Sequence, residues 1–103
     1  MDLTTGLPPA VSEELTRLAR RWQQLPLRQA FPYAARLREL AQHLFDVVAA
    51  RTGGRPGAVG DLGPATALDQ LRVAVQDAVA LADPALDIEV AQALARLRRG
   101  IPD

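Results

Sequence analysis

The chain has 103 residues, of which 49% are hydrophobic and 23% charged, and its twelve basic side chains are balanced by twelve acidic ones. This length and balance fit one soluble globular domain and leave no room for a second. The sequence contains no cysteine, which excludes disulfides, thiolate zinc sites and cysteine nucleophiles. No apolar run approaches the ~20 residues that span a bilayer, and the first residues lack a secretory signal pattern, so we expect a cytoplasmic protein without membrane contact.

The basic residues are all arginine, and lysine and asparagine are absent. We interpret this composition as the mutational bias of a GC-rich bacterial genome. It lowers the weight of any argument that arginine was selected here to bind phosphate or carboxylate. A formal net charge of zero also argues against DNA or an anionic membrane as the main partner.

The start of the chain divides into a tail and a helix. Residues 1–9 show no periodicity and end in two prolines, so they are predicted to form an N-terminal tail before a single helical domain at residues 10–103. In residues 10–24 apolar side chains recur at helical spacing on one stripe. Trp22 falls on that stripe, which indicates a core residue rather than an anchor for a partner. Glu13 and Glu14 are predicted to lie in the first turn of this helix.

A second helix is predicted from Pro32 to Thr52, ending at the glycine pair 53–54. The segment 27–31, between two prolines, is expected to be either one turn of helix or a loop. Residues 53–63 hold five glycines and a proline and form the only internal linker. This linker is longer than the about 2 to 8 residues usual in bundles, so it either crosses an end of the structure or has a function.

Two further helices complete the pattern. The third is predicted from Pro64 to Ala82, and its broad apolar surface indicates a central helix or one that lines a subunit contact. The fourth is predicted to begin after Asp83, which is placed to cap it, and to end at Gly100. Ile101 is then placed for the hydrophobic contact of a Schellman motif.

The helical periodicity predicts an all-α fold, an antiparallel four-helix bundle that is possibly completed or extended by homodimerisation. An intertwined dimer that builds the same bundle from two chains is the main alternative. Some apolar residues are left for a partner on the outer faces of helices three and four. The candidate interface residues are Val73, Ile88, Ala91 and Ala95.

Arginines collect at the ends of helices two and four. If the helices alternate up and down, these two ends lie together and form a basic cluster. The cluster is a candidate anion-binding site, although complementation of the helix dipoles explains the same pattern. Its members are Arg51, Arg55, Arg96, Arg98 and Arg99.

The single histidine, His43, has Glu39 four residues before it and Asp46 three after it, so a helix places both carboxylates beside the imidazole. One hypothesis is a phosphotransfer or metal-binding bundle centred on His43. The favoured interpretation is a polar cluster at the edge of the apolar stripe, because the only serine, Ser12, lies far away along the chain and no second histidine exists.

These observations predict a non-enzymatic bacterial protein with an interaction or regulatory role, acting as a homodimer or as a small subunit of an assembly. We expect no catalytic residues, no metal ligands and no cofactor, and a partner that is another protein or a second copy. The alternative class is a small DNA-associated regulator that uses the arginine-rich end, but nucleic acid is not the favoured partner.

Overall fold

The computed structural model describes residues 6–102, and within this range the chain forms four α-helices and no strand. The predicted helical bundle is confirmed. The helices are α1 (Pro9–Gln24), α2 (Leu27–Thr52), α3 (Pro64–Val79) and α4 (Pro84–Gly100). Residues 1–5 of the predicted tail lie outside the described residues. Within residues 6–102, no helix is long and apolar enough to cross a membrane.

The bundle consists of two closely packed helix pairs, α2 with α3 and α1 with α4. Small side chains allow the close approach within the first pair, because an alanine lets two helix backbones come nearer than a leucine does. The alanines of α2 and α3 that are at most 4% exposed are Ala30, Ala34, Ala41, Ala67, Ala74 and Ala78. Buried side chains from all four helices form a single core cluster.

The linker between α2 and α3 returns along α2 instead of crossing the end of the bundle. Gln42 holds it by two hydrogen bonds, since its Nε2 donates to the Gly57 carbonyl and its Oε1 accepts from the Val59 amide, both at 2.8 Å. Further along, Arg38 Nη1 lies 3.3 Å from Asp61 Oδ1. α3 therefore begins beside the start of α2 and runs in the same direction as α2.

This chain direction separates the C-termini of α2 and α4, which the sequence analysis expected at one end of the molecule. Arg51, at the end of α2, pairs at 2.5 Å with Asp83, which precedes α4. At the other end, Arg36 near the start of α2 lies next to Gly100, the last residue of α4. The expectation of a shared end is wrong because α2 and α3 are parallel, so α4 runs antiparallel to α2.

The start of α2 also differs from the prediction. The helix begins at Leu27 rather than at Pro32, and Pro26 caps it by accepting hydrogen bonds from the Gln29 and Ala30 amides at 2.8 and 3.0 Å. Pro32 lies inside the second turn of the helix and is exposed. A proline at this position removes one hydrogen bond of the helix and its ring crowds the carbonyl four residues earlier, yet the helix continues through it.

α3 is shorter than predicted and ends at Val79. The amides of Leu81 and Ala82 bond to carbonyls three residues back, which tightens the turn. Ala82 has a left-handed backbone with φ of 55°, which reverses the chain. Asp83 then has an extended backbone, as expected for a residue before proline.

The end of α4 is not a Schellman motif, because Gly100 stays in the helix and has no positive φ. Ile101 is instead extended, with φ of −92° and ψ of 130°, since Pro102 disfavours a helical conformation before it. Ile101 is nevertheless only 2% exposed and belongs to the core cluster. Arg21 donates to the Arg98 and Ile101 carbonyls at 3.1 and 3.4 Å and so satisfies the end of the helix.

Trp22 is 7% exposed and belongs to the core cluster, as its position in the apolar stripe predicts. α1 begins at Pro9, which moves Glu13 and Glu14 out of the first turn where the sequence placed them. The two carboxylates bond to Arg17 and Arg98 instead. The two glutamates therefore form ion pairs with arginines and do not interact with the dipole of the first turn.

Candidate functional site

An open groove of about 540 Å³ lies between α2 and α4. These two helices come close at far fewer points than α2 and α3 do. Apolar side chains from both helices line its floor, and they are Leu40, Leu44, Leu86, Val90, Ala93 and Leu97. Leu44, Leu86 and Val90 are buried, whereas the other three are half-buried and accessible from the groove.

Charged and polar side chains form the rims of the groove. They are Arg36, Glu39 and His43 on α2, and Glu89, Gln92 and Arg96 on α4. The Arg36 guanidinium lies 5.4 Å from the centre of the Tyr33 ring. It also lies beside Gly100, where the carbonyl end of α4 favours a positive charge. Arg36 is thereby held in place at one end of the groove.

His43 is exposed on the rim of this groove, with Glu39 and Asp46, also exposed, on the same helix. Asp46 Oδ1 accepts a hydrogen bond from Gln42 at 3.0 Å. Among residues 6–102, no group of three or more histidine, aspartate or glutamate side chains is arranged to hold a metal ion. The geometry agrees with a polar cluster at the edge of the apolar stripe.

The structure divides the candidate anion-binding arginines between the two ends of the bundle. Arg51 pairs with Asp83, and Arg55 is exposed in the linker near the same end. Arg98 lies at the opposite end and pairs with Glu14 at 3.1 Å. Arg96 and Arg99 are exposed near that same end of α4. The single basic cluster that the sequence predicted is therefore not assembled.

The candidate interface residues also have different environments. Val73 and Ile88 are 53% and 59% exposed, and they lie on different helices. Ala91 is half-buried, and Ala95 is only 8% exposed. α1 packs closely on α4, and α2 packs closely on α3, most of whose apolar side chains are buried. Besides the exposed Val73 and Ile88 side chains, half-buried apolar side chains are accessible in the groove.

Outside the groove, Asp83 caps α4 and forms an ion pair with Arg51. The predicted cap is confirmed, since Asp83 Oδ1 accepts from the Ala85 amide at 3.0 Å. Its other carboxylate oxygen, Oδ2, pairs with Arg51. The hydrogen bond from Arg51 lowers the pKa of the Asp83 carboxyl below its ordinary value of 3.8, and the amides of Leu86 and Ala85 act in the same direction.

We expect this ion pair to contribute to stability at neutral pH and to lose its contribution in acid. Since the folded-state pKa of Asp83 is lowered, its contribution is present above pH 3.8 and disappears as the pH falls through the folded value. The substitution Arg51→Gln should therefore lower the melting temperature at pH 7 and lower it less as the pH drops below about 4. Arg55→Gln is the control; an equal loss in both variants, or a constant loss at all pH values, contradicts the expectation.

Comparisons with protein-family models, with curated proteins and with solved structures give no match.

Glu39 and His43 were identifiable in the sequence, but the groove that they line was not. Their counterparts across the groove, Glu89 and Arg96, lie on α4, about fifty positions further along the chain. Part of the groove could have been predicted, because the apolar residues of α4 recur every three or four positions next to Glu89 and Arg96. The residues of α2 and those of α4 form one surface only because the two helices lie side by side, and the sequence does not show this neighbourhood.

Proposed function

We propose that the protein is a non-enzymatic interaction protein of the bacterial cytoplasm, with a regulatory role, that acts as a homodimer or as a small subunit of an assembly. The α2–α4 groove is its binding surface, and the occupant is an amphipathic helix. The observation that carries this proposal is the accessible apolar floor between two charged rims. A helix that places its apolar face into such a groove is a recurring mode of recognition.

The dimensions of the groove suit a helix. Its lining extends from Leu86 to Leu97 on α4, which is about 16 Å or three turns at 1.5 Å per residue. Three turns present about three or four apolar side chains on one face. Leu40, Ala93 and Leu97 are half-buried, so an incoming helix removes further apolar surface from water there.

The polar groups of the groove favour recognition over catalysis. His43 and the two glutamates are exposed on the rim rather than enclosed with a nucleophile. The only serine, Ser12, is on α1 and does not line the groove. Charged rims around an apolar floor set the orientation and specificity of a bound partner.

Photo-crosslinking in living cells of the native host tests the proposal. A benzophenone side chain replacing Gln92, on the rim of the groove, should form a covalent adduct with a protein helix, identified by mass spectrometry. The same group replacing Arg20, exposed on α1, is the control. Adding Ala93→Arg, which fills the floor of the groove, should remove the adduct. Equal adducts from both positions, or no adduct from position 92, contradict the proposal.

A further inference from the structure

We infer that two copies of this chain exchange their C-terminal halves and form an intertwined dimer, with the linker as the hinge. The N-half is α1 with α2, the C-half is α3 with α4, and residues 53–63 connect the two halves. Each bundle of the exchanged dimer still has an α2–α4 groove, so this inference goes beyond the proposed function and does not depend on it. It rests on where the helices pack and on the path of the linker.

The close helix packing lies between the two halves rather than within them. α2 packs on α3 and α1 packs on α4, and both contacts join the N-half to the C-half. In contrast, α1 makes few contacts with α2, and α3 makes few with α4. The core cluster draws on both halves, with Leu37 of α2 and Leu71 of α3 both 0% exposed. A half therefore buries its apolar side chains against a complementary half, and a second copy supplies that half equally well.

The linker is extended over most of its reach in the single chain. Pro64, which follows it, lines one cavity together with Leu27 and Ala30 at the start of α2. Ala30 lies about 33 Å from Thr52 along α2, at 1.5 Å per residue. The linker reaches about 36 Å when it is fully extended. The single chain therefore leaves the linker little slack.

A few polar contacts hold the linker on this path. Gln42 bonds to the backbone at residues 57 and 59, and Gln70 Nε2 donates to the Gly60 carbonyl at 3.0 Å. Val59 is half-buried, whereas the other residues from 54 to 62 are exposed. Hydrogen bonds at an exposed site contribute little net free energy, because water replaces them when they break. The exchanged dimer loses these linker contacts but keeps the packing between the halves.

Two bundles that lie side by side and antiparallel accommodate the exchange. Since α2 and α3 are parallel, α2 ends at the opposite end of the bundle from the start of α3. A two-fold axis perpendicular to the helices brings the end of α2 in one bundle next to the start of α3 in the other. The linker then crosses between the bundles instead of following α2. A shorter linker therefore disfavours the single chain and not the exchanged dimer.

Linker length provides the first test. Deleting residues 55–58 leaves seven linker residues, which reach about 23 Å and no longer extend along α2 to the start of α3. Light scattering after size exclusion should give this variant twice the 11.1 kDa mass of the chain, with the helix content of the wild type. Replacing residues 55–58 with Gly-Ser-Gly-Ser keeps the length and is the control, which should show the mass distribution of the wild type. A deletion variant that stays a helical single chain overturns the inference.

Mixing two full-length variants tests the exchange with the natural linker. Leu37→Asp disrupts the N-half and Leu71→Asp the C-half, because each places a carboxylate at a fully buried position. When the two variants are unfolded in urea and refolded together, their intact halves should build one complete bundle in a heterodimer. A thermal transition at the wild-type temperature should then appear with half of the wild-type amplitude, because one of the two bundles is intact.

Leu18→Asp mixed with Leu37→Asp is the matched control, since both changes lie in the N-half and no exchange repairs it. This mixture should show no wild-type transition. The inference is overturned if the mixture of Leu37→Asp with Leu71→Asp also lacks that transition, and this result decides even where the deletion variant fails to fold.

Discussion

Replacing Leu94 with alanine is expected to lower the free energy of unfolding by about 2–5 kcal/mol. Leu94 is 0% exposed and lies in the single core cluster that joins the two helix pairs. Its removal loses apolar contacts and leaves a cavity that the close-packed core can fill only in part. Urea denaturation followed by circular dichroism measures this loss, and we expect the slope of the transition to be unchanged.

Leu27→Ala is the matched control for this experiment, because it makes the same chemical change where the leucine is 62% exposed. Its expected effect is within about 0.5 kcal/mol. If Leu94→Ala costs no more than Leu27→Ala, Leu94 does not pack in the core. A changed slope would instead mean that the denatured or native state had altered in compactness.

The existence of the four helices was predictable from the sequence because each buries a stripe at helical spacing. The cap at Asp83 was predictable too, since an aspartate directly before a proline suits a helix start. The start of α2 differed from the prediction because two prolines compete for the first turn of the helix. Pro32 was expected to start a helix, but Pro26 supplies the first carbonyl acceptors, and the helix then tolerates the second proline in its next turn.

The direction of α3 was not predictable. Eleven linker residues reach about 36 Å when extended, which is enough either to cross the end of a bundle or to return along a helix. The choice depends on Gln42 and Arg38, which hold the linker against α2. A glutamine that bonds to backbone groups fifteen and seventeen positions away leaves no pattern in the sequence.

The location of the candidate anion-binding site depends on the same helix direction. With the helices taken as alternating, Arg51 and Arg98 were expected at one end, although they lie at opposite ends. The groove depends instead on α2 and α4 being antiparallel neighbours, which brings Arg36 and Arg96 together. The interaction role that the helical pattern suggests stays a prediction, and so does the choice of Val73 and Ile88 as interface residues, both of which are exposed.

The close pairing of α2 with α3 leads to the second large effect. Ala74→Leu should lower the free energy of unfolding by about 1–3 kcal/mol, because position 74 is 0% exposed and has no space for three more carbon atoms. Helix propensity does not explain such a loss, since leucine is nearly as good a helix former as alanine. Urea denaturation again provides the measurement.

Ala65→Leu, on the exposed side of the same helix, is the control and should change stability little. An Ala74→Leu protein as stable as the wild type would mean that position 74 has room for a leucine and that α3 is not closely packed there. The consequence extends to the groove, because α3 sets the position of α2 from one side while α4 faces it from the other. If α2 is free to move towards or away from α3, the width of the α2–α4 groove is not fixed by the fold.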